Sequence, residues 1–72
     1  MSHQVRVYAG EALEEVVATK LREANLPHVV SNDGYIFFEQ DGPTINEAIW
    51  NAQIRLEQLG MGALAASGIT PE

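Results

Sequence analysis

Two hydrophobic rhythms run along the chain, one of period two and one near 3.6, and their order predicts the elements. Residues 4–8 alternate polar and apolar through Val5 and Val7 to Tyr8, which predicts a strand closed by Gly10. The spacing of Leu13, Val16, Val17, Leu21 and Ala24 predicts an amphipathic helix over 11–24. Glu11, Glu14 and Glu15 lie in its first turns, where the helix dipole favours carboxylates. Asn25 and Pro27 then stop it. Residues 28–31 predict a short strand and 35–39 its return. Between them stands Asp33-Gly34, the dipeptide suited to a two-residue hairpin loop with positive φ at both positions. Residues 41–43 predict a loop. Thr44-Ile45-Asn46-Glu47 matches a capping box and opens a second helix that runs to about residue 59, before Gly60 and Gly62.

The expected architecture is therefore α+β, in the order β-α-β-β-α. It is a hairpin-containing antiparallel sheet with both helices on one face. Residues 1–60 are expected to form this single domain. Residues 61–72 are rich in small side chains and predict a tail, a short helix or a fourth strand. A fourth strand would complete a ferredoxin-like β-α-β-β-α-β order.

The predicted hairpin register sorts the strands into two faces. With Asp33-Gly34 as the loop, Asn32 faces Tyr35, Ser31 faces Ile36, Val30 faces Phe37, Val29 faces Phe38 and His28 faces Glu39. Val5, Val7, Val29, Ile36 and Phe38 are expected in the core. Tyr8, Val30, Tyr35 and Phe37 are left on an open face beside Arg6, and an aromatic open face marks a candidate interaction surface. The second helix has a core stripe of Ile45, Ala48, Ile49, Ala52, Leu56 and Leu59. Trp50 and Ile54 lie roughly opposite that stripe and form a second candidate contact, unless Leu64 or Ile69 of the tail packs there. Glu11, Glu14 and Glu15 form a third candidate, an acidic face that suits a basic partner.

Composition narrows what these surfaces are for. At 72 residues the chain buries a modest fraction of its surface, and it has no cysteine with which to form disulfides. Self-association is the remaining common device for a small domain, so a homodimer is expected. Ten acids against four bases give a net charge of −6, which opposes direct binding to nucleic acid or to an anionic membrane. No signal peptide or membrane-spanning run is read, so a cytoplasmic location is expected.

Candidate chemistry is sparse. His3 and His28 lack metal-ligand spacing, and no cofactor is expected. Gly60-Met61-Gly62 follows a helix and lacks Lys, so it is no phosphate loop. Among the carboxylates, Glu39 with Asp41 and Asp33 with Asp41 are the candidate pairs for acid–base work, on turns of a domain with little room for a pocket. The chain is accordingly expected not to be an enzyme.

The segment from Gly34 to Glu39, with Thr44-Ile45-Asn46-Glu47-Ala48-Ile49-Trp50-Asn51-Ala52, resembles HicB-type antitoxins over under a third of the chain. That family has a strand after Asp-Gly, then a helix opening Thr-x-x-Glu-Ala with Asn-Ala following. The Pro-Asp-Leu-Pro-Gly segment usual in the family is replaced here by Gln40-Asp41-Gly42-Pro43, and a full helix separates the first strand from the hairpin. The resemblance implies a small acidic protein that neutralises a basic toxin. The residues themselves point to an acidic protein-interaction module or a compact inhibitor. The alternative is a ligand-binding regulatory domain of ferredoxin-like shape acting as a homodimer.

Overall fold

A computed structural model describes residues 1–68. The elements are β1 (Ser2–Tyr8), α1 (Glu14–Glu23), β2 (Val30–Asn32), β3 (Tyr35–Asp41), α2 (Ile45–Gln58) and β4 (Ala66–Gly68). The strands form one four-stranded sheet in the order β2-β3-β1-β4, and all neighbours are antiparallel. The fold is α+β, with both helices packed on one side of that sheet.

The hairpin forms as its sequence dictates. Asp33 and Gly34 have φ of +53° and +83°, and Val30, Ser31 and Asn32 pair with Phe37, Ile36 and Tyr35. The strand stops short of the two outermost expected pairs. His28 has φ +59°, which takes it out of extended backbone, and the Glu39 amide donates to the Pro27 carbonyl instead. Val29 still packs, half-buried, against the core. β1 and β3 are each two residues longer than expected, because they pair with each other from Ser2–Asp41 to Tyr8–Tyr35.

Helix α1 corrects the sequence reading. It begins at Glu14, not at residue 11, because Gly10 (φ +86°) starts a turn in which the Leu13 amide donates to the Gly10 carbonyl. Val17, Ala18 and Leu21 are buried, but Leu13 and Val16, expected in the core stripe, stand 52% and 54% exposed. The helix leans on β2 and β3 at the sheet's short edge, which gives a narrow stripe something to cover and leaves Leu13 and Val16 beyond it. It ends as a Schellman motif, with Asn25 in the left-handed region at φ +64°. The Leu26 amide reaches the Leu21 carbonyl and the Asn25 amide the Arg22 carbonyl.

Helix α2 has a built N-terminus and a built C-terminus. The Thr44 side chain accepts from the Glu47 amide at 3.2 Å, the forward half of the expected capping box. At the other end Gly60 (φ +79°) closes a second Schellman motif, in which the Met61 amide reaches the Leu56 carbonyl at 2.7 Å. Met61 is thereby delivered into the core. Ala48, Ala52 and Leu56 are buried, while Ile45, Ile49 and Leu59 are half-buried.

The core is one cluster: Val5 and Val7 of β1, Ile36 and Phe38 of β3, Val17, Ala18 and Leu21 of α1, Ala48, Ala52 and Leu56 of α2, and Met61. The alanines bring α2 close to the sheet. At Gly68 the approach is closer still: a Cβ there would lie 2.7 Å from Ile45 Cγ1 and 2.8 Å from Ile49 Cδ1.

Residues 66–68 settle part of the open question about the tail by forming β4, which pairs with the second edge of β1. Gln53 of α2 holds the approach to this strand. Its Nε2 donates to the carbonyls of Leu64 (2.9 Å) and Gly62 (3.4 Å), and its Oε1 accepts from the Ala66 amide at 3.0 Å.

Candidate interaction surfaces

The alternation of β1 and β3 leaves one side of the sheet uncovered. Val5 and Val7 pair with Phe38 and Ile36 on the helix side, so Arg6 and Tyr8 share the opposite side with Phe37 and Tyr35. Val30 and Asn32 of β2 join them through their pairing with Phe37 and Tyr35, and Ser67 of β4 joins through Arg6. Tyr8 and Val30 are 58% and 56% exposed, while Tyr35 and Phe37 are half-buried.

The aromatic rings shelter one another. Tyr8 and Tyr35 meet edge to face at 4.9 Å between centroids, and Tyr35 and Phe37 lie tilted at 6.3 Å. The Arg6 guanidinium sits 5.3 Å from the Tyr35 ring centre while its Nε donates to Ser67 Oγ at 3.2 Å. These contacts hold the rings in place before anything binds, so a contact made there orders few side chains afresh. At one end of this face His28 Nε2 lies 3.0 Å from Glu39 Oε2, so the expected pair forms although His28 is outside the strand.

The second surface is on α2. Trp50 is 68% exposed, and with Ile54, Gln53 and Glu57 it lines a shallow groove. Leu64 packs against the core, not on Trp50, and Ile69 lies outside the described residues. The third candidate, the acidic face, is partly engaged within the chain. Glu14 Oε2 accepts from the Gly34 amide at 3.0 Å, Glu15 Oε1 accepts from Ser31 Oγ at 2.6 Å, and Glu15 Oε2 is 3.9 Å from Arg22 Nη1. These two carboxylates tie α1 to the hairpin, and of the three only Glu11, which is exposed, lacks such a bond among the described residues.

Two features escaped the sequence reading. Leu13 and Val16 add apolar surface on the outer side of α1, and no periodicity argument separates them from Val17 and Leu21. The other is a polar cleft of about 220 Å³ beneath the turn after α1, lined by Asn25, Pro27, Gln40, Asp41 and Arg55 among others. Gln40 Oε1 is buried near it without a hydrogen-bond partner. Of the two carboxylate pairs weighed from the sequence, Asp33 and Asp41 lie apart, in the hairpin loop and at the far end of β3, while Glu39 and Asp41 both line this cleft. Among the described residues no three His, Asp or Glu side chains are grouped to hold a metal ion, and no helix is long and apolar enough to cross a membrane.

Compared with known protein families, curated proteins and solved structures, the chain matches none of them.

Proposed function

We propose that this chain is a small acidic protein-interaction module that acts by occupying a surface of another protein, as an inhibitor or antitoxin-like neutraliser does. The observation that carries the reading is Trp50. A tryptophan 68% exposed beside Ile54, on the side of α2 turned away from the core, is left uncovered by the described residues. Trp is enriched among residues that dominate binding energy. The acids around it, Glu47 and Glu57, favour a basic partner. The chain works as a homodimer in this reading, with one apolar surface for the second copy and the other for the partner. The topology is read as ferredoxin-like, on the strand order and the placement of both helices on one face.

The test is affinity capture with the tagged chain from its native host, comparing wild type with Trp50→Ala and Ile54→Ala by quantitative mass spectrometry. One protein retained in stoichiometric amount by wild type and lost from both variants supports the reading. Identical retained sets from all three overturn it.

A second reading, a ligand-binding regulatory domain, is favoured by the cleft at Gln40 and Arg55, where a buried amide oxygen waits for a donor. A thermal-shift panel of metabolites tests it. A ligand that raises Tm in wild type but not in Gln40→Leu supports that reading, and a flat panel removes it.

A further inference from the structure

We propose that the open sheet face is occupied by a second copy of this chain, packed face to face about a two-fold axis, and that Arg6 of each copy meets Glu39 of the other. The inference rests on reading that face as a contact surface, and it names the occupant.

Charge selects the face. The helical layer and the turn leading into it carry six acids (Glu11, Glu14, Glu15, Glu23, Glu47 and Glu57) against three bases (Lys20, Arg22 and Arg55). Two copies meeting through that layer bring like charges together, at a cost of about 1–4 kcal/mol for each close pair. The groove at Trp50 has the same fault, since Glu57 lines it. The sheet face holds Gln4, Tyr8, Val30, Asn32, Tyr35 and Phe37, with Arg6 its one base and Glu39 and Asp41 as acids towards one end. A basic partner is drawn to the acidic helical layer, whereas the sheet face carries charges of both signs that a second copy can match.

The charged groups on the face complement their own copy. Arg6 stands opposite Phe37, and Glu39 stands opposite Gln4, so the two charges occupy one diagonal of a four-residue cell. A two-fold axis lying in the interface between them sets each guanidinium against the carboxylate of the other copy. Both groups are available. Arg6 has no carboxylate within 4.0 Å among the described residues, and Glu39 uses only Oε2 towards His28. The same axis passes beside Phe37 and brings the two Phe37 rings together at the centre.

Area fixes the strength. Four strands about 4.8 Å apart, two of seven residues and two of three, give a face of about 300 Å² in projection, against about 800 Å² per partner in a standard interface. The pairing is therefore reversible and dependent on concentration.

Sedimentation equilibrium of the full chain from micromolar to millimolar concentration tests the proposal. The weight-average mass is expected to rise from one copy towards two. Arg6→Glu or Glu39→Lys alone should weaken the dimer at least tenfold, and the two together should restore it to within about threefold of wild type. Tyr8→Glu, at an exposed position on the same face, should also weaken it, while Trp50→Ala should leave it unchanged; circular dichroism checks that each variant is folded. A chain that stays monomeric throughout, a double variant that fails to recover, or a dimer lost through Trp50→Ala overturns the proposal. A monomeric chain that still captures a partner removes this inference and leaves the preceding reading intact. A dimer with the expected charge-swap behaviour and no captured partner does the reverse.

Discussion

The two sides of β1 and β3 are built from interleaved residues and meet opposite fates. Val5, Val7, Ile36 and Phe38 are at most 1% exposed, while Tyr8 and Val30 on the other side are more than half exposed. Both sides are apolar, so hydrophobicity alone does not choose between them. The covered side is aliphatic apart from Phe38, and Ala18, Ala48 and Ala52 let the helices close over it. The open side is aromatic: the rings of Tyr8 and Tyr35 end in hydroxyls, and the Arg6 guanidinium lies over Tyr35. Side chains with a polar tip tolerate water at one end and apolar contact at the other. The covered side is shaped for burial, and the open side tolerates both water and apolar contact.

Substitutions at neighbouring positions sharpen this contrast. The largest effect is expected from Phe38→Ala. It removes a fully buried ring and should cost about 3–5 kcal/mol, much of the stability a domain of this size has. Denaturant unfolding followed by circular dichroism should show a chain largely unfolded or with a strongly lowered midpoint. Gly68→Ala comes next, since its Cβ would press on the Ile45 and Ile49 side chains from the sheet. Overpacking there should cost about 1–3 kcal/mol, read as a fall in Tm of at least ~4 °C. Phe37→Ala, one residue from Phe38 and on the opposite side, should cost about 1 kcal/mol at dilutions where single copies prevail, mostly the aromatic contact with Tyr35. A loss as large as that of Phe38→Ala would show that the two sides do not differ and would break the comparison. The smallest effect is expected from Trp50→Ala, within about 0.5 kcal/mol, because so exposed a ring contributes little to folding. A larger drop in thermal midpoint would mean that Trp50 is a structural residue after all.

What was legible in the sequence follows from where local chemistry decides. Asp33-Gly34 set the hairpin register, and that register sorted Val30 and Phe37 from Ile36 and Phe38 correctly. Thr44 and Glu47 located the start of α2, because a cap is a contact between residues three apart. The start of α1 was not legible, since Gly10 was free to add a turn before the helix. β4 was hidden for another reason. Ala66-Ser67-Gly68 has little strand propensity, and its place in the sheet depends on β1 and on an amide from α2, both distant in sequence. Of the candidate surfaces, the sheet face was readable because period two is strict. On α1 the same kind of argument assigned Leu13 and Val16 to a core that the helix does not reach.

Gln53 has a consequence for how this chain avoids its own kind of failure. Its side-chain amide gives a hydrogen to Leu64 and takes one from Ala66, as a peptide group in an adjoining strand would. It thus stands in for a fifth strand where the backbone has none, and it steadies the segment that shields the outer edge of β1. Change that amide to a carboxylate and the donor becomes a second repelling oxygen. β4 would then come loose, leaving Val5 to Val7 as a bare edge on which another chain could pair.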